Sequence, residues 1–204
     1  MIGLVRSFAG GKGRVPVSSR VWRHWVILGL LSALPGWPAS AAATVAQYSS
    51  RLWQTDAGLP QHFAQAVVQT RDGYLWVGTQ NGLARFDGVR FTVFQRSSVP
   101  EMRSANILGL HESRDGSLWI ATGAGGILRL KEGKFTHYGR SDGMADDAAL
   151  GSIHEASDGS LWFGMVGGLS RFKAGRFTSF GNTNGLASNI VRGICEDKRG
   201  NMWL

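Results

Sequence analysis

Trp76, Trp119 and Trp162 stand 43 residues apart, and each lies in nearly the same phrase. The phrase runs from Asp72-Gly73 to Trp76-Val77-Gly78-Thr79, from Asp115-Gly116 to Trp119-Ile120-Ala121-Thr122, and from Asp158-Gly159 to Trp162-Phe163-Gly164. Arg199-Gly200-Asn201-Met202-Trp203-Leu204 begins a fourth copy. Recurrence at this period marks a repeat architecture, and about 40–45 strand-rich residues per unit is the length of a β-propeller blade.

Each unit continues alike. A Gly and an aliphatic residue follow the Trp segment, then Arg and an apolar residue (Arg85-Phe86, Arg129-Leu130, Arg171-Phe172), then a Gly turn and two aromatics. Four short apolar runs separated by Gly-containing turns predict four short strands, because such turns supply the positive φ of tight hairpins. The fold class is therefore all-β: a propeller of four-stranded antiparallel blades, incomplete, with about three blades and the start of a fourth. Blades are predicted at 62–94, 104–138 and 148–180, with a truncated one at 189–204. Closed propellers use roughly four to eight blades, so the sequence reads as the beginning of a longer polypeptide. Tyr48 to Trp53 is expected to be a lone closing strand. Its Trp53 lies five residues before Gly58, as Tyr138 lies before Gly143, and its partner strands are expected beyond Leu204.

The N-terminus differs in composition. Arg6, Lys12, Arg14, Arg20 and Arg23 occur without an acid, residues 26–34 are apolar, and Ala39-Ser40-Ala41 and Ala41-Ala42-Ala43 offer small-residue cleavage sites. That order predicts a secretory signal peptide over 1–43, whose apolar run is shorter than the roughly 18 residues of a spanning helix, with an uncleaved anchor as the alternative because the basic segment is long. The formal charge of +8 then mostly reports targeting, since residues 44–204 carry 17 basic against 14 acidic side chains. Such a balance gives no footprint for nucleic acid. Cys195 is the single cysteine, which excludes an intrachain disulfide, and its apolar run predicts a small buried core residue.

Trp53 to Pro60, Val68 to Thr79 and Gly82 to Phe91 together resemble the two-component regulator propeller family. The resemblance covers 48–204. It implies the periplasmic or extracellular sensor region of a bacterial membrane receptor, most often a sensor histidine kinase and sometimes a diguanylate cyclase. It further implies an exported, periplasmic location, a membrane connection only through a downstream anchor, and kinase activity beyond Leu204. The ligand class stays open as a small molecule or an oligosaccharide, and a homodimer stays open as the receptor's arrangement. A secreted propeller hydrolase or lyase and an interaction scaffold are the alternatives. Two residues depart from the family pattern: Ala121 where Gly is expected, and Met165 where Thr is usual.

No catalytic motif occurs, and no cofactor or metal site is indicated. Asp72, Asp115 and Asp158 each stand beside Gly, which suits a hairpin turn better than a calcium loop with several oxygen ligands. Trp76, Trp119, Trp162 and Trp203 share one position in every unit, as packing between blades demands. His111 and His154, four residues before the turn Asp, recur on the first strand of successive blades. Packing between blades is their expected role, with a channel-facing pair as the alternative. The next column, Gln69, Glu112, Glu155 and Glu196, is polar throughout and is expected at the channel or rim. His111, His154, Glu112 and Glu155 are the weak candidates for ligand contact.

Overall fold

The computed structural model describes residues 2–7 and 48–204. The apolar segment 26–34 and the cleavage sites near residue 41 lie outside the described residues. The chain divides into a unit of residues 52–204 with 1–3, and a unit of residues 4–51. Strands β1 (Ile2–Ser7) and β2 (Tyr48–Trp53) form a two-stranded sheet. A single extended strand carries a row of unmet N–H and C=O groups, and the segment Ile2–Ser7 supplies a partner for them.

Three four-stranded antiparallel sheets follow in chain order. The first contains β3 (Ala64–Gln69), β4 (Leu75–Thr79), β5 (Gly82–Phe86) and β6 (Phe91–Phe94). The second contains β7 (Ile107–Glu112), β8 (Leu118–Thr122), β9 (Ile127–Lys131) and β10 (Lys134–Tyr138). The third contains β11 (Ala149–Glu155), β12 (Leu161–Met165), β13 (Gly168–Lys173) and β14 (Arg176–Phe180). Strands β15 (Cys195–Glu196) and β16 (Met202–Trp203) pair as a two-stranded sheet. Strands neighbouring in sequence pair throughout, which is the meander expected of a propeller blade.

Apolar faces close between consecutive sheets. Trp76 and Leu83 of the first blade share a core with Ile107, Ile120 and Leu128 of the second. Trp119 and Ile127 of the second share one with Ala149, Phe163 and Met165 of the third. Each blade therefore depends on its neighbour for burial, the property that makes stacked repeats cooperative. The first strands approach most closely at Gly109 and Gly151. A Cβ on Gly109 would collide with the Gly151 carbonyl, and one on Gly151 with the Leu108 carbonyl.

Ala121 has a compensating partner. In the first blade Gly78 lies against Ile107, whose Cγ2 would come within 2.6 Å of an added Cβ. The residue equivalent to Ile107 one blade on is Ala149, paired with Met165 as Ile107 is with Thr122. Ala121 and Ala149 belong to the same core, so a methyl gained on one side meets a smaller side chain on the other.

Two residues expected in the core are solvent-facing. Cys195 is exposed, and Trp203 is 64% exposed against 1% for Trp119. Both belong to the two-stranded sheet, which among the described residues has no further strands to cover them.

Candidate functional site

The strands and turns define two faces. One carries the Asp-Gly turns that join the first and second strands of each blade. There Gly73, Gly116 and Gly159 hold φ of +90°, +80° and +80°, a conformation that costs side-chain-bearing residues energy. The turn Asp accepts bonds from both sides: Asp115 Oδ1 from Ser113 Oγ at 2.6 Å and Ser117 N at 3.0 Å, and Oδ2 from Arg129 at 2.7 Å and Lys131 at 3.1 Å. Asp158 repeats this with Ser160, Arg171 and Lys173. Burial opposes ionisation of Asp115, yet the bonds from Ser113, Ser117 and Lys131 outweigh it and hold the carboxyl far below the usual range. The Lys173 bond does the same for Asp158, with help from Ser160.

The tryptophans tie the turn to the core. Trp76 Nε1 donates to Thr70 Oγ1 at 3.2 Å, Trp119 Nε1 to Ser113 Oγ at 3.1 Å, and Trp162 Nε1 to Ser160 Oγ at 2.9 Å. The Arg of the third strand caps each ring, with Arg129 and Arg171 both 5.3 Å from the Trp119 and Trp162 ring centroids. Arg85 lies 4.4 Å from the Tyr74 centroid in the first blade. Trp76 and Trp119 are buried and Trp162 is half-buried, and an indole with its N–H satisfied and its face covered by a guanidinium is a structural element rather than a free stacking platform.

On this face the acidic column joins the blades. Glu112 Oε2 accepts the Arg71 backbone N–H at 3.0 Å, and its Oε1 lies 3.3 Å from Arg71 Nε. The Arg71 guanidinium reaches on to the carbonyls of Arg114, at 3.1 Å, and Ser113. One blade later Glu155 accepts Arg114 N at 2.8 Å and pairs with Arg114 Nε at 3.2 Å, while the guanidinium reaches Ser157 and Ala156 carbonyls. At the next junction Ser157 replaces the Arg, donating to Glu196 from N at 2.7 Å and from Oγ at 2.6 Å. Glu112 and Glu155 are thus engaged in clasps between blades.

His111 and His154 sit beside the same clasps. His111 Nε2 lies 3.7 Å from Glu155 Oε2, and His154 Nε2 lies 3.6 Å from Glu196 Oε2. Both Nε2 atoms are buried beyond hydrogen-bond distance. Burial pushes the His111 imidazole below its ordinary pKa, and the Glu155 carboxylate only partly offsets that. The four candidate ligand contacts thus lie at blade junctions, the two glutamates bonded to the neighbouring blade's Arg and the two histidines beside them. Among the described residues no group of three or more His, Cys, Asp or Glu could hold a metal ion.

The opposite face carries the turns between second and third strands and the connections between blades. At the second connection Asp142 Oδ2 accepts Gly139 N at 2.8 Å, Asp147 Oδ1 accepts Arg140 N at 2.8 Å, and Arg140 pairs with Asp146 at 2.5 Å. At the third connection Asn184 Oδ1 accepts Gly181 N at 3.0 Å and Asn189 Oδ1 accepts Asn182 N at 2.8 Å. A cavity of about 300 Å³ opens there, lined by Gly167, Ser179, Asn182, Asn184 and Asn189 over Met144. Reading the sequence column by column did not single this site out. Its signal was present in the loss of charge between 139–148 and 181–190.

The fold and both faces define an array of propeller blades. The model of the two component regulator propeller matches residues 58–81 and 185–204, so these two segments are similar to repeats of that family. Two solved structures with a similar fold are described as extracellular domains of hybrid two-component systems from B. thetaiotaomicron. One is 18% identical with a TM-score of 0.68, over 78% of this chain and 22% of the other. The second is 22% identical with a TM-score of 0.55, over 69% of this chain and 22% of the other. Virginiamycin B lyase from Staphylococcus aureus shares the fold at 18% identity and a TM-score of 0.55, over 79% of this chain and 53% of that one. This chain thus spans about a fifth of the length of the two-component extracellular domains. No curated protein sequence matches it. No helix among the described residues is long and apolar enough to cross a membrane.

Proposed function

We propose that these blades are part of the ligand-sensing region of a bacterial transmembrane signalling receptor, exported to the periplasm and coupled to a histidine kinase. The observation that carries this reading is the presence of two-component regulator propeller repeats in a chain that folds like extracellular domains of two-component systems. The structure supports a binding role in a specific way. The repeated residues are spent on holding blades together, which leaves the non-repeated residues of the connections to recognise a ligand. A ligand held across a blade junction can signal only if it binds one receptor arrangement better than another, and that differential affinity is the free energy available to the output module.

The genomic reading frame beyond the Leu204 codon tests this. Further Trp repeats followed by about 20 consecutive apolar residues and a kinase module are expected. A frame that leads instead into a secreted catalytic domain, with no span, would overturn the sensing assignment.

A further inference from the structure

On the face of the blade connections the third blade departs from the second at several positions, and these converge. In the second blade the His137 imidazole fills the space beside the hairpin turn, its Nε2 lying 2.9 Å from the Gly125 carbonyl. His137 pairs with Leu128, and the residue in the same register of the third blade is Ser179, paired with Ser170. The side chain that plugs one blade is thereby reduced to a hydroxymethyl in the next, and the cavity lies against Ser179 and Gly167.

The walls change with it. Arg140, Asp142, Asp146 and Asp147 of the second connection become Asn182, Asn184, Ser188 and Asn189 in the third. Asn184 and Asn189 keep the backbone-capping role of the two aspartates through their Oδ1 atoms. A carboxamide differs from a carboxylate by carrying two N–H donors. With Oδ1 committed to the backbone, each Nδ2 is the part of the side chain left for another partner. The turn beside the cavity also loses a clamp. Thr79 and Thr122 bond their own turns through Oγ1, whereas Met165 at that position is buried in the core.

We propose that the cavity beside Ser179 is a binding site for a small uncharged molecule bearing hydroxyl or carbonyl oxygens, held by the carboxamides of Asn184 and Asn189 and the hydroxyl of Ser179. Ser179, Asn184 and Asn189 are exposed, so the site is an open recess, and no cation or carboxylate among its lining side chains offers an ion of either sign a counter-charge. Its volume falls at the small end of ligand pockets, which run from roughly 300 to 1,000 Å³. The site's part in signalling rests on the sensing reading above, while its occupancy does not.

Calorimetric titration of the intact protein tests it, with myo-inositol, glycerol and acetamide as neutral probes and acetate and inorganic phosphate as anionic ones. At least one neutral probe is expected to bind saturably, and the anions are expected to give no saturable heat. Ser179→His restores the plug of the second blade and should abolish binding. Asn184→Asp and Asn189→Asp retain the capping oxygen and should each weaken binding about tenfold. If the Ser179→His protein does not fold, the two Asp variants decide. Binding by the anions instead, binding unchanged in both Asp variants, or silence from every neutral probe would overturn the site. A reading frame without receptor modules would defeat sensing and leave this titration standing, so the two failures are separable.

Discussion

The face of Asp-Gly turns and the face of blade connections obey opposite rules. On the first, the same residue types recur at two successive junctions and make the same bonds, Arg71 to Glu112 and then Arg114 to Glu155, before Ser157 takes the Arg position at the third. On the second, equivalent positions change character, from Arg140, Asp142 and Asp147 to Asn182, Asn184 and Asn189. Repetition marks what every blade needs in order to stack. Departure from repetition marks what one blade does alone. In a repeat protein the second kind of residue is where recognition can be placed without disturbing nearest-neighbour stability.

Breaking the repeated elements should be costly in order of burial. Trp119→Ala removes a ring that touches Tyr138, Phe163 and Phe172, and should cost about 3–5 kcal/mol in denaturant unfolding of the intact protein. Glu155→Ala leaves the Arg114 backbone N–H and guanidinium without their carboxylate, at about 1–3 kcal/mol in the same measurement. Ala149→Ile overpacks the alanine pair and should cost about 1–3 kcal/mol. Combining it with Ala121→Gly, which restores the arrangement of Gly78 against Ile107, should recover most of that loss in a double-mutant cycle. Strict additivity of the two changes would refute the compensation.

The smallest effect is in pH. His111 has a folded pKa depressed by burial, so the unfolded chain takes up a proton first as pH falls through about 6.5. Stability attributable to this group is therefore complete above that pH and declines below it, until the folded imidazole also protonates. Glu155, Glu112 and His154 face the same group and shape the decline. Melting temperatures measured from pH 7.5 to 5 should fall less steeply in His111→Gln than in the parent protein.

Much of the fold was legible in the sequence because period, turn and strand are local properties. Asp115-Gly116 announces its hairpin, and Trp119 its core position, within a few residues. The role of Glu112 and Glu155 was not legible, because their partners Arg71 and Arg114 lie 41 residues away in sequence. The polar column was expected at the channel or rim, and its members Glu112 and Glu155 bond across the blade junctions. Burial of Cys195 was inferred from its apolar run and that of Trp203 from equivalence, but either carries burial only where neighbouring strands are present to cover the residue. Ser179 escaped notice for a further reason. Its counterpart His137 stands in the same place in Phe135-Thr136-His137-Tyr138 as Ser179 in Phe177-Thr178-Ser179-Phe180, but nothing in the sequence shows that the imidazole lies against the Gly125 carbonyl.

The central claim is that stacking and recognition occupy different faces, and two variants measured in two ways test it most directly. Thermal melting and calorimetric titration with the neutral probes should be run on Glu155→Ala and on the Asn184→Asp, Asn189→Asp double variant. Glu155→Ala is predicted to melt lower and keep its affinity, and the double variant to keep its melting temperature and lose affinity. If each variant moved both quantities together, the two faces would not be separable and the division of labour would be wrong.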